Sequence, residues 1–78
     1  MTCYRLIIGV DQGEDTDEEI TDKINRSNLV YDRLRFNNSF VELVSYYEAR
    51  SVSEAIYRAS VAAYSPPFEL KVTGIWIE

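Results

Sequence analysis

Asp11, Glu14, Asp15, Asp17, Glu18, Glu19 and Asp22 put seven of the chain's thirteen acids within twelve positions, with no Lys or Arg among them. Carboxylates at this density can hold a hard cation, imitate a row of phosphates or dock on a basic protein surface. The spacing departs from that of a calcium-binding loop, which disfavours the first. A purely local account covers part of the run. Asp17, Glu18 and Glu19 fall in the first turn of an expected helix, where the macrodipole favours each by about 0.3–1 kcal/mol. It does not cover Asp11, Glu14 and Asp15, or Asp22, which repels Glu18 at i+4 on the solvent side. With eight Lys and Arg against the six remaining acids, the rest of the chain is slightly basic, and the net charge is -5. Such a run repels nucleic acid and attracts a basic protein partner.

Catalytic chemistry is harder to place. The chain has no His and a single Cys, and no nucleophile stands beside a base. Asp32, between Val30 and Leu34, is the only acid on an otherwise apolar strand pattern, and pairing with Arg50 or Arg58 is its ordinary role. The expectation is a non-enzyme with no cofactor and no metal. Cys3 has no partner for a disulfide or a zinc site and reads as a small buried hydrophobe, which suits a reducing, cytoplasmic setting. Met1 to Val10 is too brief for a signal peptide, and no window nears the roughly 20 apolar residues that span a bilayer. At 78 residues the chain is expected to form one domain over positions 1–78. A domain of this size buries roughly 60–65% of its unfolded surface.

Hydrophobic periodicity supplies the elements that hold these groups. Cys3 to Val10 alternates as a central strand, with Tyr4, Leu6, Ile8 and Val10 on one side and Arg5, Ile7 and Gly9 on the other. After a polar turn from Asp11 to Asp15, Thr16 and Glu19 have capping-box spacing, predicting a helix from Asp17 to about Arg26 that buries Ile20 and Ile24. From Leu29 the period returns to two, with Val30, Leu34 and Phe36 opposite Tyr31, Arg33 and Arg35. Asn37 and Asn38 suit a tight turn into a second strand from Phe40 to Glu48. Ser51 and Glu54 repeat the capping spacing ahead of a helix whose core stripe is Val52, Ala55, Ile56, Ala59 and Ala63. Pro66 and Pro67 stop it, and Phe68 to Glu78 forms the last strand. Phe68, Leu70 and Val72 keep one phase while Ile75 and Ile77 take the other, which a bulge near Gly74 reconciles. Strand, helix, strand, strand, helix, strand is an α+β order. With right-handed crossovers it gives a four-stranded antiparallel sheet with both helices on one face, the ferredoxin-like βαββαβ arrangement.

In that arrangement the sheet's other face is open and shows Arg5, Ile7, Tyr31, Arg33, Arg35, Phe40, Val44 and Tyr46. Leu6-Ile7-Ile8-Gly9 and Ser39-Phe40-Val41-Glu42-Leu43 resemble the two strand motifs of RNA-recognition-motif domains, and the topology does too. The resemblance implies single-strand binding with Phe40 as a base-stacking platform. Ile7 and Asn38 stand where that family carries aromatics, and Phe36 and Asn37 where it carries a basic residue and a glycine. A third surface is the helical set Tyr57, Val61 and Tyr64, spaced i, i+4, i+7 and offset from the core stripe. It suits a partner or a homodimer contact, or else laps over the sheet edge beside Trp76.

These features lead to one expectation: a small acidic protein-binding module, an inhibitor or adaptor that occupies a basic surface. In size, charge and architecture the chain is similar to phage-encoded antagonists of bacterial defence, including anti-CRISPR proteins, and its carboxylates could make it a DNA mimic. That likeness implies residence in a host cytoplasm. The alternatives are a single-strand nucleic-acid binder and a homo-oligomeric structural domain.

Overall fold

The computed structural model describes residues 1–64 and 70–78. Six elements follow one another: β1 (Thr2–Asp11), α1 (Asp17–Arg26), β2 (Arg33–Asn37), β3 (Phe40–Ala49), α2 (Val52–Ala63) and β4 (Lys71–Ile77). The strands form one antiparallel sheet in the order β2-β3-β1-β4, the ferredoxin-like arrangement. The expected stops at Pro66 and Pro67 and the strand start at Phe68 lie outside the described residues.

The alternation in β1 decides where the core sits. Leu6, Ile8 and Val10 share one cluster with Val41 and Leu43 of β3, Ile20 and Ile24 of α1, and Ala55 and Ala59 of α2. Both helices therefore cover the same face. Each fully buried Leu, Ile or Val contributes about 1.5–3 kcal/mol, and the alanines let α2 approach the sheet closely.

Local chemistry sets the ends. α1 opens with a complete capping box at Thr16 and Glu19. Ser51 likewise caps α2 by accepting from the Glu54 amide at 3.2 Å, but no return bond from the Glu54 carboxylate exists among the described residues. Val52, on the expected core stripe, is exposed in that first turn. Between β2 and β3, Asn38 takes the left-handed region at φ 53, as a tight turn requires. In β4 the register slips between Gly9 and Val10, so Gly9 faces Gly74, Val10 faces Val72, and Thr73 is the extra residue. That bulge brings Leu70, Val72 and Ile75 all onto the core despite their broken alternation.

Three expectations about the chain before β2 are corrected. The strand begins at Arg33, so Val30 is not a core strand residue but stands exposed, and Leu29 is buried instead. The physical cause is a backbone tie: the buried Ser45 hydroxyl donates to the Val30 carbonyl at 2.7 Å and holds that residue's main chain against β3. Tyr31 lies on the helix side rather than the open face, packing on the core while its hydroxyl donates to Asn25 Oδ1 at 2.6 Å. Asp32 is exposed and makes no described ion pair with Arg50 or Arg58. Arg58 instead donates to the Glu48 carbonyl and lies 5.6 Å from the Tyr47 ring centroid. Cys3 is also a correction, being exposed: its odd position in β1 places it on the outer face with Arg5, opposite Glu48.

Candidate functional site

The acidic segment is an ordered loop and helix start, and Gln12 organises it. This residue is buried; its amide donates to the Ser39 carbonyl at 2.9 Å, and its side-chain nitrogen donates to the Asp15 carbonyl at 2.9 Å and to Asp17 Oδ1 at 2.7 Å. Asp11 Oδ1 accepts from the Gly13 amide at 2.9 Å, and Asp15 Oδ2 pairs with Lys23 at 2.7 Å. Glu19 accepts from the Thr16 amide at 2.9 Å. Asp11, Asp15, Asp17 and Glu19 are thus tied to the molecule's own donors. Glu14, Glu18 and Asp22 are exposed and have no partner among the described residues.

Glu18, Asp22 and Asn25 follow at i, i+4 and i+7 on one side of α1, where with Asp17 and Phe36 they line an open groove of about 610 Å³. Phe36 was expected in the core. It does share the core-facing side of β2, opposite Val41, but β2 is the sheet's edge strand and the ring is 44% exposed. Sequence reasoning therefore missed it as a surface residue; the available signal was its place at the end of a short strand beside a polar helix face.

The outer face of the sheet differs from its expectation. Ile7 and Val44, paired across β1 and β3, are completely buried rather than open to solvent. A network of ion pairs lies among the same face's side chains: Arg5 to Glu78 at 2.9 Å, Arg35 to Glu78 at 2.8 Å and Arg35 to Glu42 at 3.3 Å. Nε of both Arg5 and Arg35 is buried without a hydrogen-bond partner among the described residues, as when a guanidinium stem covers apolar surface while its head is held by carboxylates. The hydrogen bond with Arg35 holds the Glu78 carboxyl below its ordinary range, partial desolvation opposing it and the charges of Arg35, Arg5 and Arg33 reinforcing it. Glu78 in turn raises the Arg35 guanidinium above its usual value. Period-two reading had the phase right and could not foresee the cover, because Glu78 is far from Arg35 along the chain.

Tyr46 and Arg33 remain exposed on this face, while Phe40 is half-buried near Trp76. Trp76 stands on the outer face above Gly9, opposite Ile7. Tyr57 and Val61 of α2 and its C-cap Tyr64 are exposed, and α2 covers the opposite face of the sheet from Trp76, so the tyrosines do not shield it. Tyr47, whose phenol is pushed up by burial against the opposing charge of Arg58, packs on the core. No group of three metal-ligating side chains is brought together among the described residues, and no described helix is long and apolar enough to cross a membrane. No family model, curated protein or solved structure matches this chain.

Proposed function

We propose that the chain is a non-enzymatic protein-binding module that lays the Glu18, Asp22 and Asn25 face of α1, flanked by Phe36, against a basic surface of a partner protein. The observation that carries this reading is that Glu18 and Asp22, exposed and unpaired among the described residues, line one groove with the half-exposed Phe36, while Glu14 is likewise exposed and unpaired in the preceding loop. Unpaired carboxylates steer a cationic partner and raise the encounter rate, while burial of the aromatic ring supplies affinity. The finer form of the proposal is an inhibitor or adaptor that imitates phosphates and occludes a nucleic-acid-binding groove, in the manner of phage-encoded anti-defence proteins of the anti-CRISPR type.

The test is capture of partners from host lysate, identified by mass spectrometry, with wild type, the double variant Glu18→Lys/Asp22→Lys, and Phe36→Ala. Retention of a basic protein by wild type, weakened about tenfold or more by charge reversal, supports the reading. Equal retention by the double variant overturns it. A homodimer built on the α2 tyrosines is the second reading, favoured by Tyr57 at 69% and Tyr64 at 57% exposure. Light scattering that finds a stable dimer, broken by Tyr57→Asp, would select it. The single-strand nucleic-acid reading loses support because ion pairs occupy the face on which bases would stack.

A further inference from the structure

Gly9 and Gly74 face each other across β1 and β4, and together they leave a strip of sheet without side chains. The Trp76 ring fills it: Cη2 and Cζ3 lie 3.2 Å from where a Gly9 Cβ would stand, and Cζ3 lies 3.5 Å from that of Gly74. The ring is thus held against two strands. Beside it opens a cleft of about 420 Å³ lined by Asp11, Ser39, Phe40, Thr73 and Trp76.

Among the described residues, Asp11 is the one acidic side chain in that lining. Its Oδ1 is engaged by the Gly13 amide, while among the described residues Oδ2 has only the Lys71 ammonium at 3.9 Å, on a side chain that is 80% exposed. Aromatic rings attract cations to their faces, and a carboxylate adds a counter-charge. A phosphate would be repelled, and a neutral apolar guest would desolvate the carboxylate without compensation. The cleft also adjoins the acidic loop, because the Gln12 amide bonds the carbonyl of Ser39 in its wall.

We infer that this cleft receives one cationic side chain, Lys or Arg, of the protein partner, between Trp76 and Phe40 and against Asp11. The inference rests on the proposed function, since a basic partner docked along the acidic loop brings such side chains to the cleft.

Trp76 is the chain's single tryptophan, so its emission reports on this cleft alone. Emission is titrated with N-acetyl-arginine amide and N-acetyl-lysine amide, with N-acetyl-glutamine amide as the neutral control and uridine monophosphate as the nucleotide control. A saturable change with the cationic probes, at a Kd on the order of millimolar, is expected. Asp11→Asn keeps an acceptor for the Gly13 amide but removes the charge, and should weaken the probes about tenfold. Glu18→Lys/Asp22→Lys should leave them within about twofold, being outside the lining. An equal response to the neutral probe, saturation by the nucleotide, or indifference to Asp11→Asn overturns the inference. Capture of a basic partner with the probes silent also overturns it and leaves the proposed function standing. Probe binding with no basic partner captured upholds the cleft and overturns the function.

Discussion

Gly9→Ala sets two physical effects of opposite sign against each other. Inside a strand, alanine is ordinarily better than glycine by roughly 0.5–1 kcal/mol, because it has less backbone entropy to lose. Here the new Cβ would lie 2.6 Å from Thr73 Oγ1 and 3.2 Å from two carbons of the Trp76 ring. Overpacking of this kind costs about 1–3 kcal/mol. The upper part of that range applies, because the ring already rests on Gly74 and the contact with Thr73 Oγ1 is far inside van der Waals distance. The net expectation is a loss of about 1–2 kcal/mol, which lowers the Tm of a domain this size by about 5–15 °C. Thermal melts followed by far-ultraviolet circular dichroism measure the loss, and tryptophan emission should shift to the red as the ring is displaced toward water. Adding Thr73→Ala removes the shortest contact and should restore about half of the loss. A Gly9→Ala protein that melts at or above wild type, with unchanged emission, would refute the placement of Trp76 over Gly9.

The ion-pair layer predicts a pH signature. Because the folded Glu78 carboxyl is held below the 4.5 of the free group, its contribution is complete above that value and is lost as pH falls through the lowered one. Urea midpoints of wild type should therefore exceed those of Glu78→Gln at neutral pH and converge with them in acid; parallel curves would show that Glu78 contributes nothing. At the start of α1, Thr16→Ala removes the hydroxyl that caps the Glu19 amide at 3.2 Å, for a loss of about 0.5–2 kcal/mol in urea melts. Thr16→Ser should recover most of it.

Most of the fold could be read from local rules. The strand phases, both helix starts, the Asn38 turn and the slip opposite Gly74 follow from side-chain period, hydroxyl caps and positive-φ tolerance. Errors arose where a residue's environment depends on distant chain. Ile7 and Val44 look exposed by phase and are buried, because the same face carries an ion-paired layer drawn from β1, β2, β3 and Glu78 just beyond β4. Phe36 has a core phase and a solvent-facing fate, since its strand is outermost in the sheet, a place to which only the shortness of that strand pointed. Tyr31 was misplaced because the chain reaches the sheet later than its alternation suggests. The acidic run itself divides in a way that composition hides: four of its seven members are held by the molecule's own donors and three are left to solvent.

Gln12 gives that division a kinetic meaning. By fastening the loop to the neighbouring hairpin turn through its backbone N–H, and to the head of α1 through its side-chain amide, one buried residue keeps Glu14 and Glu18 on a stiff template rather than a waving tail. A template has little freedom left to surrender when it meets its counterpart, so recognition should proceed as a single docking event whose geometry is already fixed in the unbound molecule.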